Sequence, residues 1–195
     1  ADLMDNILQL RQELVVRTYK HGNYEAFVIN DPKTRRIHKA LVRDRLLHRA
    51  VYRVLYPFFD KKFINDSYSC RLGKGTHKAI KQFRKYFYKV SRNNTRICWV
   101  LKCDIRKFFA SIDHQVLTYI IATHIEDEDV NWLLFQIIQS FPKGLPLGNL
   151  TSQLLVNVYM DEFDQFMKHE LKAKYYIRYA DDFVILSTNK PYLFT

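Results

Sequence analysis

The chain has 195 residues, 48% of them hydrophobic and 15% aromatic, so it can bury a core and is no disordered basic tail. Its 31 Lys+Arg against 20 Asp+Glu leave a net charge of +11, and only 5 Gly and 5 Pro exclude collagen-like or low-complexity architecture. No apolar run reaches the roughly 18 residues of a membrane helix, no signal peptide opens the chain, and Cys70, Cys98 and Cys103, odd in number and without zinc-type spacing, point to a reducing intracellular compartment.

In chain order, Leu3, Ile7, Leu10 and Leu14 recur at helical spacing and predict an opening amphipathic helix. Residues 24–29 alternate as a short strand does, and Asp31-Pro32-Lys33 reads as a turn. Over residues 40–59 the apolar set Leu41, Leu46, Leu47, Ala50, Val51, Val54 and Leu55 predicts a helix, interleaved with Arg43, Arg45, Arg49 and Arg53. Gly73 and Gly75 mark a loop ahead of a second helix carried by Ile80, Phe83, Phe87 and Val90. Residues 97–105 are rich in β-formers, with Lys102 the one charge ahead of Asp104, and predict a buried strand that delivers Asp104 at its end. Residues 114–124 and 129–141 predict helices, residues 142–148 a Gly/Pro loop, and Leu150, Leu154, Val158 and Phe163 a further helix. Residues 175–179 and 183–186 predict two strands around Ala180-Asp181-Asp182, a hairpin with adjacent carboxylates at its tip. There is no internal repeat and no low-complexity linker.

The charge is unevenly placed. Residues 1–100 carry 22 Lys/Arg and 8 Asp/Glu, a net of +14, whereas residues 101–195 carry 9 and 12, a net of −3. A basic half beside a slightly acidic half fits polyanion binding next to a site that needs carboxylates, although a solvated basic surface would look the same. Asp181 and Asp182 repel each other and hold protons more tightly unless a cation sits between them. An Asp-Asp turn alone needs no function, but this one is pinned between apolar strands. If the strand ending at Asp104 shares their sheet, three carboxylates meet, a hard oxygen set that suits Mg²⁺ and substrate phosphates. Two such ions, about 3.5–4 Å apart, can activate a hydroxyl and stabilise a departing pyrophosphate.

Three segments then carry a family resemblance. Asp104-Ile105-Arg106-Lys107-Phe108-Phe109, Gly148-Asn149-Leu150-Thr151-Ser152-Gln153 and Tyr179-Ala180-Asp181-Asp182 resemble motifs A, B and C of reverse transcriptases, in the right order. Upstream, Ser67-Tyr68-Ser69-Cys70-Arg71-Leu72-Gly73-Lys74-Gly75 looks like the S-Y-G-F-R-P-G segment of bacterial and group II intron-type enzymes. Lys33-Thr34-Arg35 and Arg43-Asp44-Arg45 are similar to their K-L-R and K-D-R fingers block. The resemblance covers nearly the whole chain. It implies an α+β right-hand polymerase fold: basic fingers over residues 1–96, a palm with an antiparallel sheet over residues 97–195, the two interleaving, and a thumb that these residues do not include. A longer parent protein is therefore expected.

Carried over residue by residue, the resemblance makes Asp104, Asp181 and Asp182 catalytic metal ligands for two Mg²⁺ ions, with Mn²⁺ as a substitute and the Ile105 carbonyl as an extra ligand. Phe109 takes the steric-gate position, where a bulky ring favours deoxynucleotides over ribonucleotides. Lys33 and Arg35 match positions that hold the incoming triphosphate, and Leu147, Gly148 and Gln153 border the nucleotide. Arg71, Lys74 and His77, with Arg43 and Arg45, are the expected nucleic-acid contacts. Asp113 reads as a helix N-cap rather than a ligand.

Motif B separates subfamilies. Intron-encoded enzymes and retrons usually read Q-G-x-x-x-S-P, whereas Leu147-Gly148-Asn149-Leu150-Thr151-Ser152-Gln153 resembles the L-G-x-x-x-S-Q form of diversity-generating retroelements. That likeness implies error-prone copying of template RNA into cDNA from deoxynucleoside triphosphates and a primer. It further implies a small basic accessory protein and a cytoplasmic setting in bacteria, archaea or phage, with no membrane partner. A group II intron-type, CRISPR-associated or retron enzyme stays open as the alternative. So does a catalytically silent RNA-binding scaffold, against which the three aspartates speak.

Overall fold

The computed structural model describes residues 3–30 and 33–194, so the Asp31-Pro32 part of the expected turn lies outside the described residues. The chain divides into two compact units: one holds residues 1–58 and 109–158, the other 59–108 and 159–195. Each unit is therefore built from two separate stretches. None of the described helices is long and apolar enough to cross a membrane.

The first unit opens with α1 (Leu3–Val15), followed by a ribbon of β1 (Glu25–Asn30) and β2 (Thr34–Lys39). The strands pair antiparallel from Glu25↔Lys39 to Asn30↔Thr34, and β2 was not legible as a strand because five of its six residues are polar or basic. Most of α2 (Val42–Asp60), α5 (His114–His124), α6 (Glu128–Gln139) and the start of α7 (Leu150–Gln165) complete the unit. Leu10, Tyr19 and Leu47 form a small core with Leu14, Val51, Trp132 and Leu133 around it. Asp113 caps α5, accepting from the Gln115 and Val116 amides at 2.8 and 3.0 Å, as expected from its position.

Beside that core lies a buried polar network. Asp44 accepts from the Tyr19 hydroxyl at 2.7 Å and the Gly22 amide at 3.1 Å. The Gly22 carbonyl can only accept, so His21 donates to it through Nδ1 (2.6 Å) and its Nε2 is left to accept from His48 Nε2 at 3.0 Å. His48 Nδ1 must then accept from the Thr151 hydroxyl at 2.5 Å, which ties α2 to the first turn of α7. The chain of donors holds only while His48 is neutral.

The second unit is a three-stranded antiparallel sheet backed by α3 (Thr76–Val90). β3 (Trp99–Asp104) is an edge strand, β5 (Asp182–Ser187) is central and β4 (Tyr176–Tyr179) forms the other edge. The expected buried character of β3 is corrected: Trp99, Val100, Lys102 and Asp104 are exposed, because an edge strand covered on one face needs only alternate residues inside. The hairpin turn is also shorter than predicted. Ala180 and Asp181 alone form it, and Asp182 already belongs to β5, paired with Tyr179. Met167, Ala173, Tyr176, Ile185 and Leu193 make the core under this sheet. The short helix α4 (Phe108–Ser111), a π-helical turn (Phe166–Glu170) and a 3₁₀ turn (Pro191–Phe194) complete the described elements.

Burial, and then the neighbouring His21, push the His48 imidazole down to about 4. The unfolded chain thus binds a proton near pH 6.5 that the folded chain refuses, and stability present above pH 6.5 is lost as pH falls toward 4. We expect unfolding free energy to drop by on the order of 2–3 kcal/mol across that window from this residue. Urea denaturation of wild type and His48→Gln at pH 7.5, 5.5 and 4.5 checks it; parallel pH slopes for the two proteins would overturn the assignment.

Candidate active site

The register of the second unit's sheet brings the three predicted carboxylates together. Asp104 ends β3, Asp182 begins β5, and the two are direct cross-strand partners. Asp181 sits in the adjoining turn, and the three offer carboxylate oxygens all within 4.8 Å of one another. Like charges placed opposite each other on a sheet are destabilising. Burial and then the charges of Asp104 and Asp182 raise the proton affinity of the Asp181 carboxyl, against a backbone hydrogen bond that lowers it. The Lys102 ammonium, 3.5 Å from an Asp182 oxygen, offsets little of this, since both side chains are largely exposed. An all-oxygen cluster with surplus negative charge fits a hard divalent cation such as Mg²⁺ or Mn²⁺. Ile105 follows Asp104 at the point where β3 has ended.

The turn is held from below by a residue that sequence reasoning passed over. Ala180 has a left-handed backbone (φ 56°), a conformation that a non-glycine residue keeps only when its surroundings fix it. Arg178, fully buried in β4, supplies that fixation. Its Nη1 donates to the Ala180 carbonyl at 3.0 Å, while Nε and Nη2 form a bidentate pair with Asp164 at 2.8 and 2.7 Å. Nη2 also donates to the Ser67 hydroxyl at 3.1 Å, and the Tyr176 hydroxyl donates to Asp164 at 2.6 Å. The Arg178 backbone bonds Asp66 and Tyr68, so the Ser-Tyr segment is tied to the same strand. A charged residue within an otherwise apolar strand was the available signal. Beside this pair, burial and the Asp164 charge push the Asp161 carboxyl up to about 6.

The remaining predicted residues divide by what already occupies them. Arg71, expected as a nucleic-acid contact, is engaged within the fold. Its side chain is 5% exposed and donates to Asp60, Ile64 and Ser67 over the Phe63 ring. Lys74 is likewise engaged, with Nζ 2.7 Å from both the carbonyl and the side-chain oxygen of Asn65. Arg43 pairs with Glu13 and lies over Tyr19, which commits it inside the first unit. His77 and Arg45 are exposed.

In the first unit, Lys33 and Arg35 are exposed on the ribbon. Phe109 is half-buried, and its carbonyl accepts from the Leu145 amide at 2.8 Å. Leu147 accepts from the His38 amide of β2 at 2.8 Å, and Gly148 lies directly against the same strand. A Cβ on Gly148 (φ +112°) would stand 2.6 Å from an Ile37 methyl, so the close approach needs glycine. Gln153 is exposed, whereas the neighbouring Asn149 is buried.

Comparison with known proteins agrees with this geometry. The family model described as reverse transcriptase (RNA-dependent DNA polymerase) matches residues 22–193. Protein YkfC of Escherichia coli is 28% identical over 139 residues, covering 66% of this chain and 36% of that protein. The group II intron-encoded protein LtrA of Lactococcus lactis is 25% identical over 192 residues, covering 89% and 31%. This chain therefore spans about a third of the length of these curated relatives. Among solved structures, a Candida tropicalis telomerase bound to a fragment of telomeric RNA aligns with a TM-score of 0.67 at 11% identity. It covers 94% of this chain and 40% of that one, a likeness of fold alone.

The Arg178 pair makes a two-part expectation. Arg178→Met leaves Asp164 buried without its partner and should cost about 3–5 kcal/mol in urea denaturation, whereas Arg178→Met with Asp164→Leu should recover most of that loss. The double variant still lacks the donor to Ala180, so its Mn²⁺ affinity, read by electron paramagnetic resonance titration, should stay below wild type. Full recovery of both quantities would remove the positioning role.

Proposed function

The chain belongs to the reverse transcriptase (RNA-dependent DNA polymerase) family, and from that membership we propose that it copies an RNA template into cDNA. The convergence of Asp104, Asp181 and Asp182 at one end of the sheet carries the reading. Two Mg²⁺ ions held by these carboxylates would activate the primer 3′-hydroxyl and stabilise the departing pyrophosphate. The 3′-oxygen forms a bond to the α-phosphorus of a deoxynucleoside triphosphate as the bond to pyrophosphate breaks. The carboxylates position the site, and the Arg178 scaffold keeps Asp181 in register with its two partners.

Around that centre the roles follow the motif positions. The Ile105 carbonyl is proposed as an additional ligand, Lys33 and Arg35 as triphosphate contacts, and Phe109 as the ring that disfavours a ribose 2′-hydroxyl. Leu147, Gly148 and Gln153 border the nucleotide, with Gly148 already placed against the ribbon. The residues 1–58 and 109–158 then correspond to fingers with part of the palm, and the sheet-bearing unit to the palm proper. Template RNA and primer are bound mainly through phosphates, so affinity falls steeply with salt.

At the subfamily level the named relatives favour a group II intron-type enzyme, since an intron-encoded protein aligns over 89% of the chain. One specific observation supports the second reading, a diversity-generating retroelement enzyme with a basic accessory protein. Leu147 stands where intron-type motifs carry Gln, and an aliphatic residue there gives up a polar contact that helps select the correct base pair.

Primer extension on an RNA template with Mg²⁺ and deoxynucleotides tests the activity. The wild-type protein should elongate the primer, and Asp181→Asn should slow it on the order of a thousand-fold, equivalent to several kcal/mol of lost transition-state stabilisation. Equal rates would sink the catalytic assignment.

Leu147→Gln separates the subfamilies. On the retroelement reading, sequencing the cDNA shows fewer errors opposite adenine in the variant; an unchanged spectrum leaves the intron-type reading standing.

A further inference from the structure

Between Asp66 and Asp104 the chain carries ten Lys/Arg and no Asp/Glu, the longest one-signed stretch in the sequence. Within it, α3 sorts its residues sharply. At 100° per residue, Lys78, Lys81, Arg84, Lys85 and Lys89 fall on one side, and all are exposed, as is Arg92 just beyond the helix end. Tyr88, 50% exposed, lies in the same stripe. The opposite side, with Phe87 and Val90, packs toward the sheet, and Tyr86 donates to Asp66 at 2.7 Å. The basic stripe therefore faces away from the covered side of the helix.

Among the described residues none of these six cations has an ion-pair partner, and the first turn of α3 holds no acid. Lys78–Lys81, Lys81–Lys85 and Lys85–Lys89 stand three or four residues apart, where like charges destabilise a helix. The dipole accounts for cations in the last turn but opposes Lys78 near the first. Beyond the helix, Arg92, Asn93 and Asn94 are three consecutive left-handed residues (φ 47°, 54° and 67°). They help shape an open cleft of about 620 Å³ lined by Lys85, Tyr88, Lys89, Arg92 and Asn93. Local hydrogen bonds hold that turn, from the Asn93 amide to the Tyr88 carbonyl at 2.9 Å and from the Asn94 amide to the Ser91 hydroxyl at 3.0 Å.

We propose that this face of α3 is a second RNA-docking surface, separate from the aspartate site, with the cations on consecutive phosphates and Tyr88 as a stacking platform for an unpaired base in the terminal cleft. The stripe presents a cation about every 4.5–6 Å along roughly 16 Å of helix, a linear array that suits a nucleic-acid backbone. A half-exposed tyrosine among cations is the arrangement that binds unpaired bases without sequence preference. An anionic membrane fits less well, because the apolar side of α3 is turned toward the sheet and away from the basic stripe. Ala79, Ile80 and Phe83, on the flank away from the stripe, line a separate cleft that includes Asp182. The choice of RNA over DNA rests on the proposed polymerase reading; the anionic character of the ligand does not.

The test uses the whole protein carrying Asp181→Asn, so that binding is read apart from catalysis. Its probes are a fluorescent 20-base-pair RNA hairpin with an unpaired loop, a DNA hairpin of the same sequence, and phosphatidylserine vesicles. Lys81→Glu/Lys85→Glu/Lys89→Glu should weaken RNA-hairpin binding at least roughly ten-fold at 0.1 M salt. It should also lower the slope of log affinity against log salt by about two to three, since each phosphate contact accounts for about 0.7–0.9. The corresponding triple Lys→Arg variant should retain binding, and Tyr88→Ala should weaken binding only when the loop is unpaired. In the catalytically intact background, the triple charge reversal should leave extension of a primer on a short template unchanged. Unchanged hairpin affinity and slope, equally tight DNA binding, or a loss confined to vesicles would each overturn the proposal. A wild-type protein that binds the hairpin but never extends a primer would overturn the polymerase reading and leave the phosphate-docking surface standing.

Discussion

The buried ion pair between Arg178 and Asp164 is the interaction on which the sheet-bearing unit depends. Both side chains are fully inaccessible, and each is unaffordable in a low-dielectric interior without the other. The pair is satisfied twice over, by bidentate geometry and by the added donors and acceptors of Tyr176, Ser67 and Ala180. Because one guanidinium nitrogen reaches the carbonyl of Ala180, the electrostatic anchor extends into the turn that presents Asp181. The hairpin that carries Asp181 and Asp182 is thus fixed by charge and hydrogen bonds that a two-residue turn could not supply alone.

The chemistry above that anchor runs in the opposite electrostatic sense. Three carboxylates are gathered at one end of the sheet, and among the described residues the exposed Lys102 is the one cation in ion-pair contact with them, so the folded chain concentrates repulsion there. Elsewhere in the same unit, the stretch from Ser67 to Cys103 is wholly basic in its charged residues. These two one-signed regions are complementary to a cation and to a polyanion respectively, the two species a phosphoryl-transfer enzyme acting on nucleic acid has to hold. Arg71 and Lys74 belong to the basic stretch yet are engaged in internal bonds. The unpaired positive charge therefore resides on α3 and the residues just after it.

In the first unit the constraint is close backbone approach rather than charge. The ribbon of β1 and β2 exposes most of both faces, and a lone hairpin of this kind is marginal in water. It is secured by the segment from Leu147 to Gly148, through one backbone hydrogen bond and a contact that leaves no room for a side chain. The neutral His48 network ties the following helix to α2. The residue read as a fidelity determinant, Leu147, therefore also has a structural task, through its carbonyl rather than its side chain.

Most elements, the three aspartates and the Asp113 cap were legible in the sequence, because apolar periodicity and local capping chemistry act over a few residues. The family resemblance was legible because its motifs are short and ordered. The strand β2 was not, since its stability comes from a partner strand and not from apolar alternation. Nor were the roles of Arg71, Lys74 and Arg43: a cation reads the same whether it faces water, a phosphate or a buried carboxylate. The sequence by itself thus determined which residue types were available and where the chain turns. Only the tertiary structure decided which charges cancel, as Arg178 and Asp164 do across 14 residues, and which stay unpaired, as on α3. The physical reason is that pairing depends on distance and desolvation between segments, and neither is encoded in local spacing.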